Sequence, residues 1–220
     1  MDTMSERGLW LDNSSHREDL AAFVERALRL DEAAVIRLRE REGGLVVAWV
    51  STGFDVLASR VVEGRLKPAD LSAGADALAA GLAAMQRDGF VEPGFAMDSA
   101  WRGGLPPEAG FVHLDDVPAR VVLDLAQRGV ALAKEHSSAH GPPASLLDQE
   151  VVAVSSGEAS VGIPMRCVFA LTAMGFLPQT GEAVAADEIV RVRAMPSWLR
   201  IDARFGSVYR RRGDPALVLR

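Results

Sequence analysis

The stretch VRVRAMPSWLRIDARFGSVYRRR, residues 190–212, decides how the end of the chain folds. It carries seven arginines, although the net charge of the whole chain is −6. Apolar and charged residues alternate along it, which is the pattern of strands with one buried and one solvated face. The residues that this period turns toward a core are Val190, Val192, Leu199, Ile201, Ala203 and Phe205. The sequence therefore predicts an antiparallel hairpin, with strands at 190–194 and 199–209, rather than a basic tail.

The arginines on the other face of this hairpin are candidate binding residues. They are Arg191, Arg193, Arg200 and Arg204, and Arg37 and Arg39 recur with the same alternation in an earlier predicted strand. Guanidinium groups bind phosphate, so if both strands lie in one sheet these side chains form a single anion-binding surface. The alternative is a solvated face paired with acids, because residues 189–220 carry a charge of +6 and residues 1–188 carry −12. Only the three arginines at 210–212 then remain as a free basic patch.

The segment before the hairpin, PMRCVFALTAMGFL at 164–177, predicts a helix. Pro164 suits its first turn, Gly175 suits a left-handed cap at its end, and Phe176 suits the contact that accompanies such a cap. The helix is apolar on all sides, which indicates burial. A DNA-recognition helix presents polar side chains to base edges, so the sequence argues against a winged-helix DNA reader.

The N-terminal part predicts two helices around a meander. The predicted elements are a helix at 15–30, strands at 36–41, 45–50 and 54–62, and a helix at 69–87. Ser15 and Glu18 match a capping box, which places the start of the first helix. Gly74 and Gly81 weaken the second helix by about 1 kcal/mol each relative to alanine, so we expect packing to cover it.

Residues 89–115 lack a helical or strand period. They hold five glycines, three prolines and four aromatic residues, which are Phe90, Phe95, Trp101 and Phe111. Aromatic side chains bring area worth burying, so we expect an ordered segment, either a strap across the core or a lid. A lid predicts a ligand pocket beneath Trp101 and Phe111, lined by His113 or Arg102.

The fold class that these patterns predict is α+β, with an antiparallel meander and hairpins and about four packing helices. The C-terminal elements are a helix at 116–136 capped by Asp116, a hairpin at 150–163 turning at Ser156-Gly157, the helix at 164–177 and the arginine-bearing hairpin. We expect a single domain over residues 1–220. The alternative is two interlocked halves, 15–88 (helix-βββ-helix) and 116–212 (helix-ββ-helix-ββ), joined by 89–115.

Two residues are candidates for catalysis, Cys167 and His113. Cys167 lies beside Arg166 near a helix N-terminus, and both features favour a thiolate, whereas the alternative is a small core residue. His113 has Asp115 and Asp116 as neighbours. His136 and His140 have i, i+4 spacing at the end of a helix but lack further ligands, so we expect no metal site. The sequence contains no complete catalytic or cofactor motif, and we expect no cofactor.

Composition indicates where the protein works and what it binds. A single cysteine excludes an internal disulfide, which favours a reducing cytoplasm. The first residues lack the apolar core of a signal peptide, and no apolar run reaches the roughly 20 residues of a membrane span. Scarce lysine with abundant alanine, arginine and glycine suggests a bacterial source.

We therefore expect a non-enzymatic regulatory or assembly module that binds another protein or itself, for example as a homodimer. One alternative is a nucleic-acid or phosphate binder that uses the arginine-lined surface, a class the sequence favours less. The other is an enzyme or small-molecule binder with its site under residues 89–115.

Overall fold

The structure, a computed structural model, describes residues 7–136, 142–157, 159–178 and 184–213, without the side chains of His136 and Ala159. The fold is α+β, as predicted: within those residues there are five α-helices and 12 strands, mostly antiparallel. Contacts divide the chain into two compact units. The first unit comprises residues 1–53 and 59–104, and the second comprises residues 54–58 and 105–220.

The first unit follows the order strand, helix, four strands, helix, strand. Its elements are β1 (Gly8–Leu11), α1 (Ser14–Leu30), β2 (Val35–Arg41), β3 (Leu45–Ser51), β4 (Leu57–Lys67), β5 (Asp70–Gly74), α2 (Ala75–Ala83), β6 (Phe90–Val91) and a 3₁₀ turn (Asp98–Ala100). The sheet order is β5-β2-β3-β4, and β1 pairs with both β4 and β6. The buried stripe of α1 is Leu20, Phe23, Val24 and Ala27, and α1 packs against α2.

The second unit repeats the alternation of strands and helices. Its elements are β7 (Val112–Pro118), α3 (Ala119–His136), α4 (Ala144–Leu147), β8 (Glu150–Ser156), β9 (Ala159–Pro164), α5 (Met165–Ala173), β10 (Ile189–Met195), β11 (Trp198–Ala203) and β12 (Gly206–Arg211). The sheet order is β12-β11-β10-β7, while β8 and β9 form a separate hairpin. Helix α3 packs against α5. Whether the two units make one domain stays a prediction.

Several predicted elements are confirmed. The first two meander strands, the β8–β9 hairpin and the β10–β11 hairpin lie where the sequence placed them, and Val190, Val192, Leu199 and Ile201 are buried. The third meander strand, predicted at 54–62, is displaced to Leu57–Lys67. The cap of α5 is also confirmed. Gly175 has φ 65, its N–H bonds the carbonyl of Thr172 at 3.0 Å, and the N–H of Phe176 bonds the carbonyl of Leu171 at 2.9 Å. This is the Schellman arrangement, which satisfies carbonyl groups at the helix end.

The predicted helix at 69–87 is wrong in its first part. Residues 70–74 form β5, which pairs with β2 so that Leu71 faces Leu38 and Ala73 faces Ile36. Leu71, Ser72 and Ala73 are all buried. Long-range pairing has overridden the local helical preference of an alanine-rich segment, and Gly74 stands between strand and helix rather than inside the helix.

Three other boundaries differ from prediction. Asp116 does not cap α3 but lies in β7, which continues to Pro118 before the helix begins. The cap of α1 is Asn13 rather than Ser15, and its side chain accepts a hydrogen bond from the N–H of His16 at 3.1 Å. The predicted strand at 199–209 is two strands, with a turn that leaves Phe205 41% exposed instead of buried.

Candidate interaction surfaces

The hairpin arginines, Arg191, Arg193, Arg200 and Arg204, all contact carboxylates. Asp202, which stands between them on β11, accepts from Arg193 and from Arg200, the latter at 2.7 Å. Arg191 donates to Asp116 at 3.3 Å. Arg204 donates from Nε to Glu188 at 3.1 Å, and this hydrogen bond raises the pKa of the guanidinium group. The individual pairs were not predicted from the sequence, because the three acids lie in β7, in β11 and directly before β10.

The arginines of β2 belong to a different cluster in the first unit. Arg37 binds both carboxylate oxygens of Asp70, at 2.8 and 2.7 Å, and the hydrogen bond to Asp70 raises its pKa. Arg39 reaches Asp70 more weakly, at 4.0 Å. The guanidinium carbon of Arg37 also lies 5.9 Å from the ring centroid of Trp101. That both arginine sets form one anion-binding surface stays a prediction.

The environment of Cys167 disfavours the thiolate that Arg166 and the helix N-terminus were expected to favour. It is 1% exposed, and burial raises the pKa of its thiol to about 12. The positive charges of Arg210 and Arg166 act in the other direction but are outweighed. The expectation that Arg166 would lower this pKa into the thiolate range is therefore wrong, and Cys167 packs as a core residue.

His113 lies on β7 with an exposed side chain, and its Nε2 is 2.9 Å from Oδ1 of Asp116. This hydrogen bond is the main cause of a lowered pKa at Asp116, to which Arg191 also contributes. No group of three or more His, Cys, Asp or Glu side chains suited to a metal ion occurs in the part of the chain described. His140 lies outside the described residues, as does the side chain of His136.

Trp101 and Phe111, the aromatic residues of the predicted lid, have partners in different units. Trp101 donates from Nε1 to the carbonyl of Gly103 at 3.1 Å, beside Arg37, and Arg102 is exposed. The ring of Phe111 is 6.0 Å from that of Tyr209. A ligand site under residues 89–115 stays a prediction.

Phe95 lies on the surface, where its apolar side chain is not predicted to be. It was expected to bring area for burial, yet it is 91% exposed. The chain around it, residues 92–98, is held by side chains: Arg7 donates from Nη2 to the carbonyl of Ser72 at 2.7 Å and from Nε to the carbonyl of Gly94 at 3.2 Å. The Pro-Gly pair before Phe95 was the available signal, because such a pair places the next residue at a turn.

Two further bonds fix the other end of this segment. Asp98 accepts the N–H of Ser72 at 2.6 Å, and the N–H of Met97 bonds the carbonyl of Ser72 at 2.9 Å. Gly94 has φ 81, and a Cβ there would lie 2.6 Å from the Cβ of Ala77 on α2. The segment therefore sits tightly against the first unit while the ring of Phe95 points into solvent. We call residues 92–98 the Phe95 segment.

Comparison with solved structures places this architecture in a known fold. A DNA polymerase III beta subunit from Thermotoga maritima matches with a TM-score of 0.55 at 11% identity, over 93% of this chain and 64% of that chain. The beta subunit of Caulobacter crescentus gives 0.56 at 12%, over 98% and 69%. The DNA polymerase sliding clamp of Bacillus subtilis gives 0.56 at 11%, over 98% and 68%. The chain thus has a sliding-clamp-like fold and spans about two thirds of the length of these structures, 64% for some of them.

The chain belongs to the family described as Domain of unknown function DUF8185, whose model matches residues 106–215. A second model, Domain of unknown function DUF8010, matches residues 4–103. A search of curated proteins returns no match to the sequence. Among the described residues, no helix combines the length and apolar character needed to cross a membrane.

Proposed function

We propose that the protein is a non-enzymatic regulatory or assembly module that binds another protein, or a second copy of itself, through the Phe95 segment. The observation that carries this proposal is the 91% exposure of Phe95 on a segment held by hydrogen bonds. Burying a phenylalanine side chain stabilises by about 1.5–3 kcal/mol, so a fixed and exposed one retains that free energy for a partner. Anchors of this kind dominate the energetics of protein interfaces.

The surroundings of Phe95 support a protein partner. Met97, two residues away, is 36% exposed, and methionine adapts its shape to different partners. The backbone is already fixed by Arg7 and Asp98, so little conformational entropy is lost when a partner docks. The names of the structurally similar proteins, subunits of DNA polymerase and sliding clamps, also describe parts of assemblies.

Site-specific photo-crosslinking in the host cell tests the proposal. A benzophenone side chain replaces Phe95 in one variant and Val112, which is 64% exposed on β7, in a matched control. We expect a protein adduct at position 95 and a much weaker one at 112, with mass spectrometry separating a second copy of the chain from another protein. Equal adducts at the two positions, or none at 95, would contradict the proposal.

Nucleic-acid binding through the hairpin arginines is the second candidate. Two observations favour it: the similar structures include DNA polymerase subunits, and Arg191 and Arg204 keep side chains that are 48% and 56% exposed. It predicts affinity for mixed-sequence RNA or DNA that falls steeply with salt, because phosphate contacts release counterions. Fluorescence anisotropy at low salt decides it, and an absence of binding there removes this candidate.

A further inference from the structure

A polar cleft lies at the end of β12, against the β8–β9 hairpin. It has a volume of about 380 Å³, within the range of small-molecule sites. Its lining includes Glu150, Gly162, Leu199 and three consecutive arginines, Arg210, Arg211 and Arg212. All of these residues belong to the second unit, whereas the Phe95 segment belongs to the first.

The register of β12 explains why the cleft is charged. Val208 is fully buried, and residues 210 and 212 follow it at the strand period of two, on the face that elsewhere meets the core. Arg210 pairs across the ladder with Leu199, a core residue. It is also near enough to the buried Cys167 to act on that thiol. The core-facing side of β12 thus ends in Arg210 instead of an apolar residue, and Arg212 follows just beyond the strand.

Among the described residues, Asp148 is the one carboxylate that pairs with Arg210 or Arg212. Arg210 donates to Oδ1 of Asp148 at 3.2 Å, but the same oxygen accepts from Nε of Arg166 at 3.0 Å. One carboxylate therefore serves two guanidinium groups. Arg212 donates to a neutral group, the carbonyl of Met195, at 3.1 Å. Within the described residues, no carboxylate comes within ion-pair distance of Arg212.

Glu150 adds an opposing charge at the wall of the cleft. Its carboxyl group lies against Gly162, where a Cβ would come within 2.1–2.5 Å of the carboxyl atoms. The absence of a side chain at Gly162 is what leaves room for it. An anion in the cleft would be attracted by the arginines and repelled by Glu150, and both effects are measurable.

We propose that this cleft binds the oxyanion group of a small-molecule ligand, a phosphate or a carboxylate, with Arg210 and Arg212 as donors. The planar guanidinium fork matches the oxygens of both groups and remains charged at any physiological pH.

Titration followed by NMR tests the site, with inorganic phosphate in one arm and acetate in the other, both at constant ionic strength. We expect saturable shifts centred on β12 and the β8–β9 hairpin in at least one arm, and the arm that saturates identifies the group. Arg212→Gln should weaken that binding about tenfold, the effect of losing one charge-assisted hydrogen bond. The matched control is Arg128→Gln on α3, an exposed arginine paired with Asp124, which should leave affinity unchanged.

Glu150→Gln provides the opposite test. It keeps the shape of the side chain and removes its charge, so the same anion should bind several-fold more tightly. Unchanged affinity in this variant would overturn the placement of the anion in this cleft. Linear shifts in both arms, or equal weakening by Arg212→Gln and Arg128→Gln, would show general surface attraction and overturn the proposal.

Discussion

Arg166, on α5, donates from Nη1 to the carbonyl oxygen of Phe54 at 2.6 Å. Arg166 is 8% exposed, and its Nε donates to Asp148. The rings of Phe54 and Phe169 lie 5.9 Å apart beside this bond. A buried guanidinium group thus holds the start of residues 54–58, which belong by contact to the second unit although the adjoining chain belongs to the first.

Arg166→Met should destabilise the protein by about 1–3 kcal/mol. The substitution leaves the carbonyl of Phe54 without its partner, and a polar group left unpaired away from water costs about that much. Asp148, whose side chain is 53% exposed, also loses one donor but can bind water instead. Urea unfolding measures the change. Arg128→Met, which removes an exposed i, i+4 pair on α3, should cost less than about 0.5 kcal/mol. Similar losses in the two variants would show that Arg166 contributes no more than a surface arginine.

Asp116→Asn should make stability less dependent on pH. The hydrogen bond from His113 lowers the pKa of Asp116 in the folded protein below its ordinary value of 3.8. The contribution of this carboxylate to the free energy of unfolding is therefore complete above pH 3.8 and is lost as the pH falls through the lowered pKa. The difference in free energy of unfolding between parent and variant should be below about 1 kcal/mol at pH 6, because the pair is exposed, and should shrink in acid.

His113→Leu is the companion variant for this experiment, since it removes the largest cause of the shift and keeps the carboxyl group. It should reduce the same acid dependence in part. If the difference in free energy of unfolding between the parent and Asp116→Asn is the same at pH 6 and pH 2.5, the carboxyl group of Asp116 does not contribute to the pH dependence of stability.

Cys167 should not react with a thiol reagent in the native protein. Its pKa of about 12 and its burial leave neither a thiolate nor access at pH 8. Labelling should proceed only in denaturant. Because the folded pKa is above the ordinary 9.0, stability should also decline above pH 9, where only the unfolded chain releases the proton. Rapid labelling without denaturant would instead reveal an accessible thiol.

Gly94→Ala should destabilise the Phe95 segment more than Gly103→Ala does. Both glycines have positive φ, 81 and 85, and alanine in that region costs about 1–2 kcal/mol. Only Gly94 also meets a neighbour, Ala77, whereas nothing lies within 4 Å of the position of a Cβ at Gly103. Thermal unfolding compares the two. If their costs are equal, contact with α2 does not hold the segment.

The elements that the sequence predicted well are those whose local pattern agrees with their burial. The alternation in β10 and β11 and the apolar character of α5 both follow from which side chains meet the core. β5 and β7 were not predicted, because they form strands by pairing with β2 and β10. These partners are distant in sequence, so no local pattern indicates the pairing. β1 was also missed, a short strand at the beginning of the chain.

The chemistry of the surface was harder to predict than the core. Seven arginines in one stretch suggested a binding face. In the structure, Arg191, Arg193, Arg200 and Arg204 each have a carboxylate partner, and Asp202 binds two of them. Exposure of Phe95 depends on how Arg7 and Asp98 hold the backbone, contacts that no local period encodes.

The bonds at Ser72 affect more than the Phe95 segment. β5 is an edge strand of its sheet. An edge strand usually exposes unpaired backbone N–H and C=O groups, which can pair with a strand from another chain. At Ser72 the amide is taken by Asp98 and the carbonyl by Arg7 and Met97. At this point, therefore, β5 cannot pair with a strand from another chain, which is the pairing that leads to aggregation and fibrils.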